Sequence, residues 1–142
     1  MIYTPLTKLA LSICFDAHKD QRDKSGAPYV FHPFHLAEQM SDELTVCTAL
    51  LHDVVEDTDM TLEDLRGAGF PEEVLEALAL LTHDADTPYM EYVARLKDNP
   101  IARAVKLADL AHNSDPTRLE VMDDYAIARA EKYRAAIKLL SE

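Results

Sequence analysis

The stretch ELTVCTALLHDVVED, residues 43–57, carries apolar side chains on so many sides of its helical projection that only a buried central helix accommodates it. Ser41 and Asp42 just before it are natural caps. A central helix needs others around it, and the chain supplies their signals. Thr4 and Pro5 open a first helix with Leu6, Leu9, Ile13 and Ala17 on one stripe. Further helices are expected over residues 34–40, in TLEDL (residues 61–65), PEEVLEALALLTH (71–83), YMEYVARLKD (89–98), IARAVKLADLAHN (101–113) and DDYAIARAEKYRAAIKLL (123–140). SDPTRLEVM (114–122) reads as a loop, as does the charged, Gly- and Pro-bearing run KDQRDKSGAPYVFHP (19–33). No strand alternation or internal repeat is present, so the expected fold is all-α, a compact multi-helix bundle. With 142 residues it forms one domain, 1–142.

Charge narrows the partners. Fourteen Lys and Arg against 26 Asp and Glu give a net charge of −12, which opposes broad contact with a nucleic-acid polymer or an anionic membrane. A small anionic ligand would need local cations. No run reaches transmembrane length, and Lys8 interrupts the apolar start, so a cytoplasmic location is expected. Cys14 and Cys47 lie in apolar helical patterns without metal-type spacing and read as free buried thiols. Oligomeric state has no signature.

The central segment ends in LHDVVEDT, where His52, Asp53, Glu56 and Asp57 follow an apolar run. On a continuous helix, 52 and 56 share one row and 53 and 57 the next, so all four would border one cavity. Carboxylates at a helix C-terminus are disfavoured by its dipole and by burial, and a bound cation resolves both costs. Imidazole and carboxylate without thiolate suit Mn, Fe, Ni or Zn. Two other segments bring matching donors: His32 in PYVFHP, held in a stiff and extended backbone by Pro33, and Asp109 in the apolar helix VKLADLAHN. Each has a structural explanation when taken singly. His52 could be a packed core histidine, His32 a surface residue before a helix, and Asp109 one half of an ion pair with Lys106. Jointly they leave several buried polar groups that one cation would satisfy.

The order of His32, His52 with Asp53, and Asp109 resembles the H…HD…D pattern of the HD phosphohydrolase superfamily. The strings AHKDQRDKSGAPYVFHP, ALLHDVVEDT and NPIARAVKLADLAHN are similar, more narrowly, to the alarmone-hydrolysing domain of the Rel/SpoT enzymes and to the stand-alone small alarmone hydrolases, from about His18 to Asn113. No synthetase-like region is present. The resemblance implies an HD-domain bundle that binds one divalent metal, Mn2+ foremost with Fe2+, Ni2+ and Zn2+ compatible, through His32, His52, Asp53 and Asp109. It implies 3′-pyrophosphohydrolysis of (p)ppGpp to GDP or GTP and pyrophosphate.

Glu56 and Asp57 then become the catalytic carboxylates, orienting water and managing protons. Lys24 and Ser25 match the family's nucleotide-contacting loop, and Asn113 matches the asparagine after the third metal segment. The family usually carries Arg just before the position of Lys24. Here that residue is Asp23, with Arg22 one position earlier as its substitute. Arg129 and Lys132 fit either phosphate contact or a solvated helix face, and His18, His35 and His112 fit supporting roles. Two other functions share these features: an HD phosphohydrolase for another nucleotide or phosphorylated metabolite, and a nucleotide-binding module without turnover.

Overall fold

The computed structural model describes residues 1–118 and 123–142, and its described residues are helical without strands. In chain order the helices are α1 (Pro5–His18), α2 (Phe31–Glu38), α3 (Glu43–Leu51), α4 (Val54–Asp57), α5 (Leu62–Ala68), α6 (Glu72–Leu81), α7 (Tyr89–Leu96), α8 (Pro100–Asn113) and α9 (Asp124–Ser141). A 3-10 turn, Pro116–Arg118, precedes α9. The expected loop 114–122 thus contains one short turn, and its residues 119–122 lie outside the described residues.

Local chemistry sets most of these ends. Thr4 and Thr7 form a reciprocal capping box at α1, and Pro5 occupies the first turn, where its missing N–H costs nothing. Asp42 accepts from Thr45 N at α3, Asn99 from Ala102 N at α8, and Asp123 from Ala126 N at α9. Gly69, at φ 109°, closes α5 in the left-handed conformation that favours glycine.

Helix α3 is the centre of the molecule. Every residue from Thr45 to Leu51 is buried, and the helix touches α1, α2, α6 and α8. Leu50 and Leu51 are fully enclosed, each contributing about 1.5–3 kcal/mol by leaving water. Helices α2, α3 and α8 pack on one another, and the ends of α3 and α2 together with the last turns of α8 build the site.

Two local expectations are corrected. The central segment is not one helix but two, α3 and α4, separated at His52 and Asp53. At the break the His52 imidazole takes part: its Nδ1–H donates to the Ala49 carbonyl at 2.7 Å, competing with the Asp53 N–H that would use this acceptor in a continuous helix. Glu56 and Asp57 consequently lie in a new four-residue helix rather than at the end of the long one. His32 is likewise not extended. Helix α2 begins at Phe31, three residues before the expected start at Phe34, with His32 N donating to Tyr29 O at 2.9 Å. Pro33 sits in the first turn, where no intrahelical donor is needed, so the turn overrides the pre-proline bias.

Candidate metal centre

His32 from the first turn of α2, His52 from the end of α3 and Asp109 from within α8 converge on one point. One donor atom from each lies within 4.8 Å of the others, and all three residues are buried. Nε2 of His32 is 2.9 Å from Asp109 Oδ1, and Nε2 of His52 is 3.8 Å from the same oxygen. Asp53, just before α4, brings Oδ2 to 3.0 Å from His52 Nε2.

The state of His52 tests whether this group suits a cation. Its Nδ1 is committed as a donor to Ala49, so Nε2 faces two carboxylates with no well-formed hydrogen bond. A neutral ring would point its lone pair at negative charge. Either a proton or a metal ion must stand there. Burial pulls the His52 pKa down, but the Asp53 and Asp109 charges outweigh it and raise it to about 9. Burial pushes Asp53 up, and the facing imidazolium and the Tyr29 hydroxyl bring it down to about 2. Asp109 is held far below the usual carboxylate range despite complete burial, chiefly by Lys106 and then by His32 and His52. Two imidazole nitrogens and acidic oxygens of forced negative charge therefore fit a divalent ion of borderline softness.

Surrounding groups fix these donors. Lys106 Nζ lies 3.0 Å from Asp109 Oδ2, and Asn113 Nδ2 donates to Oδ1 at 3.0 Å. The ion pair offered as an alternative explanation of Asp109 thus coexists with its place in the cluster. The Tyr29 hydroxyl donates to Asp53. Nδ1 of His32 meets Nδ1 of His112 at 2.7 Å, and the His112 ring stacks on His35 with centroids 4.0 Å apart. Burial and then the Arg118 charge pull His112 down to about 4, so it is neutral at physiological pH and can accept the His32 N–H. His18 Nδ1 bonds Gln21 Oε1 at 2.9 Å, and its ring lies edge-on to Tyr29.

Above the cluster opens a cavity of about 370 Å³. His32, Asp53 and Asp109 form part of its wall, and Arg22, Lys24, Ser25 and Asn113 face it as well, so all four expected substrate-binding residues line the same space. Arg129 reaches it too, whereas Lys132 turns to the Tyr89 ring at 4.2 Å. Glu56 shares a smaller cavity of about 30 Å³ with His52, Asp53, Lys106 and Asp109. Its Oε1 accepts from His83 N at 3.2 Å. Partial burial and the neighbouring Asp53 raise the pKa values of both Glu56 and Asp57, which suits groups that exchange protons. Asp57 lines neither cavity and is exposed.

Sequence reasoning passed over Tyr29 and Arg118. Tyr29 stands in the same PYVFHP string as His32, three residues earlier, and that offset was its available signal. Arg118 carried no signal within an irregular loop.

A family model described as HD domain matches residues 10–104, which include His32, His52 and Asp53. The chain belongs to the HD-domain family. Asp109 lies beyond the matched residues, and the fold brings it to the other donors. Among relatives of this HD-domain chain, the zebrafish guanosine-3′,5′-bis(diphosphate) 3′-pyrophosphohydrolase MESH1 is 30% identical over 131 residues, covering 83% of this chain and 72% of that one. A probable guanosine-3′,5′-bis(diphosphate) 3′-pyrophosphohydrolase from Synechocystis is 36% identical over 120 residues, 73% of this chain. That alignment spans only 16% of the Synechocystis protein. The solved structure of a metazoan ortholog of SpoT that hydrolyses ppGpp superposes with a TM-score of 0.74 at 25% identity, over 99% of this chain and 85% of the other.

Proposed function

We propose that residues 1–142 act as one domain that hydrolyses the 3′-pyrophosphate of (p)ppGpp, releasing pyrophosphate and GDP or GTP, with Mn2+ as the working ion in the cytoplasm. The observation that carries this is His52 Nε2, buried and aimed at two carboxylates, Asp53 and Asp109, that line a cavity edged by cations. The named activities of the relatives supply the substrate class. Among the described residues no helix is long and apolar enough to cross a membrane, and both cysteines are free, which fits a reducing compartment.

His32, His52, Asp53 and Asp109 would hold the ion. When bound, it supplies a lowered pKa for water and neutralises pyrophosphate charge. Glu56, beside the cluster and raised in pKa, takes a proton from the attacking water and passes it to the leaving 3′ oxygen, and Asp57, its exposed neighbour on α4 and likewise raised in pKa, supports that proton exchange. Lys106 and Tyr29 keep the donor oxygens in place. Lys24, Ser25, Arg22 and Asn113 orient the nucleotide along the cavity.

The test is a purified, Mn-loaded protein incubated with ppGpp, with nucleotides separated by anion exchange and pyrophosphate measured directly. GDP and pyrophosphate should appear in equal amounts and vanish after chelation. Glu56→Gln should retain its metal and lose roughly 10²- to 10⁴-fold in turnover. Cleavage of other nucleotides but not ppGpp would reject the assignment, as would binding of ppGpp without any turnover.

A further inference from the structure

Asp23 stands where the family that this chain resembles usually carries an arginine, yet it does not confront the cavity as a bare acid. Its Oδ1 accepts from Ser25 N at 3.0 Å, Ser25 Oγ at 2.8 Å and Ala27 N at 2.9 Å, folding residues 23–27 around itself. Its Oδ2 faces Arg118 Nη2 at 3.6 Å. Burial pushes its pKa up, but these bonds and the Arg118 charge together outweigh it and lower the pKa, so it is ionised.

Arg118 is hydrogen-bonded through one nitrogen and faces the Asp23 charge with another. Nη1 donates to the His112 carbonyl at 2.9 Å and to Asn113 Oδ1 at 3.2 Å. Those two bonds use both hydrogens of Nη1, and no hydrogen bond among the described residues engages Nη2 or Nε. The side chain is 24% exposed and lines the large cavity beside His32, Asp109 and Asn113. A guanidinium pinned along one edge, with donors left over on the others, is preorganised for an oxyanion.

We propose that Arg118 binds a phosphate group of the substrate, with Asp23 as the positioning residue that holds its guanidinium in the cavity wall. The proposal deepens the functional reading above and rests on it for the identity of the nucleotide. The charge removed from position 23 of the loop is thereby returned from the turn after α8. Asp23 changes from an obstacle to phosphate binding into its support.

Inorganic pyrophosphate titrated calorimetrically into the metal-free protein tests this apart from catalysis. Arg118→Gln should weaken binding at least tenfold, and Arg118→Lys, which keeps the charge but not the planar fork, by less. Asp23→Asn keeps an acceptor for Ser25 and Ala27 but removes the charge facing Arg118, and should weaken binding several-fold. In ppGpp hydrolysis by the Mn-loaded protein, Arg118→Gln should raise KM at least tenfold more than it lowers kcat.

Tighter pyrophosphate binding by Asp23→Asn would overturn the proposal, because it would mark Asp23 as a repulsive charge. So would unchanged affinity in Arg118→Gln, or no measurable binding by the wild type. A purely structural Arg118, acting through Asn113 on Asp109, would lower metal content and kcat together without touching pyrophosphate affinity. Pyrophosphate binding that depends on Arg118 in a protein that leaves ppGpp intact would sink the functional reading and keep Arg118. Hydrolysis of ppGpp with KM unchanged in Arg118→Gln would do the reverse.

Discussion

The floor and the mouth of the site are built on opposite principles. His32, His52 and Asp109 stand on or at the ends of helices of the packed interior, and each turns one donor atom toward the others while neighbouring groups hold its remaining polar atom. Arg22 and Lys24 lie exposed on the loop between α1 and α2, and Arg118 stands on the short turn after α8. The floor is a closed set of charges that needs one more cation. The mouth is an open set of donors that needs an anion. Chemistry is thereby tied to the fold's stability, while recognition is left free to change.

The contrast is broken most severely by Asp109→Ala. It removes one of three convergent donors and leaves the buried Lys106 ammonium without its carboxylate partner, so metal content should be lost and activity should fall by about 10³-fold or more. Elemental analysis and a thermal melt on the same preparation check both halves, and a stable, metal-replete variant would contradict the description of the floor. At the mouth, Lys24→Ala should raise KM for ppGpp about tenfold, equivalent to about 1.4 kcal/mol, with the melting temperature unmoved. A large loss of stability there would erase the distinction between the two regions.

The smallest effect concerns pH. His52 has a folded pKa of about 9 against an unfolded value near 6.5, so the stability it contributes is complete below about 6.5 and is lost as pH rises through about 9. Metal-free protein should therefore melt several degrees lower at pH 9 than at pH 6.5. Saturating Mn2+ should remove or reverse that slope, because the ion replaces the proton on Nε2.

Much of the floor was legible in the sequence because burial makes polar residues conspicuous. A histidine and an aspartate after ELTVCTALL, and an aspartate inside VKLADLAHN, have few ways to be satisfied. Helix ends were also legible where Thr4, Asp42, Asn99 or Asp123 caps them. The break at His52 was not, since it depends on one side chain competing with one backbone N–H for the Ala49 carbonyl. Nor was the start of α2, where the turn at Tyr29 outweighs the bias that Pro33 imposes. At the mouth, exposed Arg22 and Lys24 matched a family pattern, but the pairing of Asp23 with Arg118 joins loops 95 residues apart in sequence and leaves no periodic trace.

The break at His52 also limits how this centre can change over evolutionary time. The same imidazole that we propose as a donor to the ion competes for the main-chain carbonyl where the helix breaks, at the turn that aims Asp53 and the acids of α4. A replacement unable to donate at that spot would leave the carbonyl to the next amide and favour a longer α3, which would carry those acids around the helix axis. Exchanging this ligand for another type is thus a change of backbone path as well as of metal preference. Drift toward an inactive relative through position 52 would leave its mark in the shape of the chain before any loss showed in the remaining ligands.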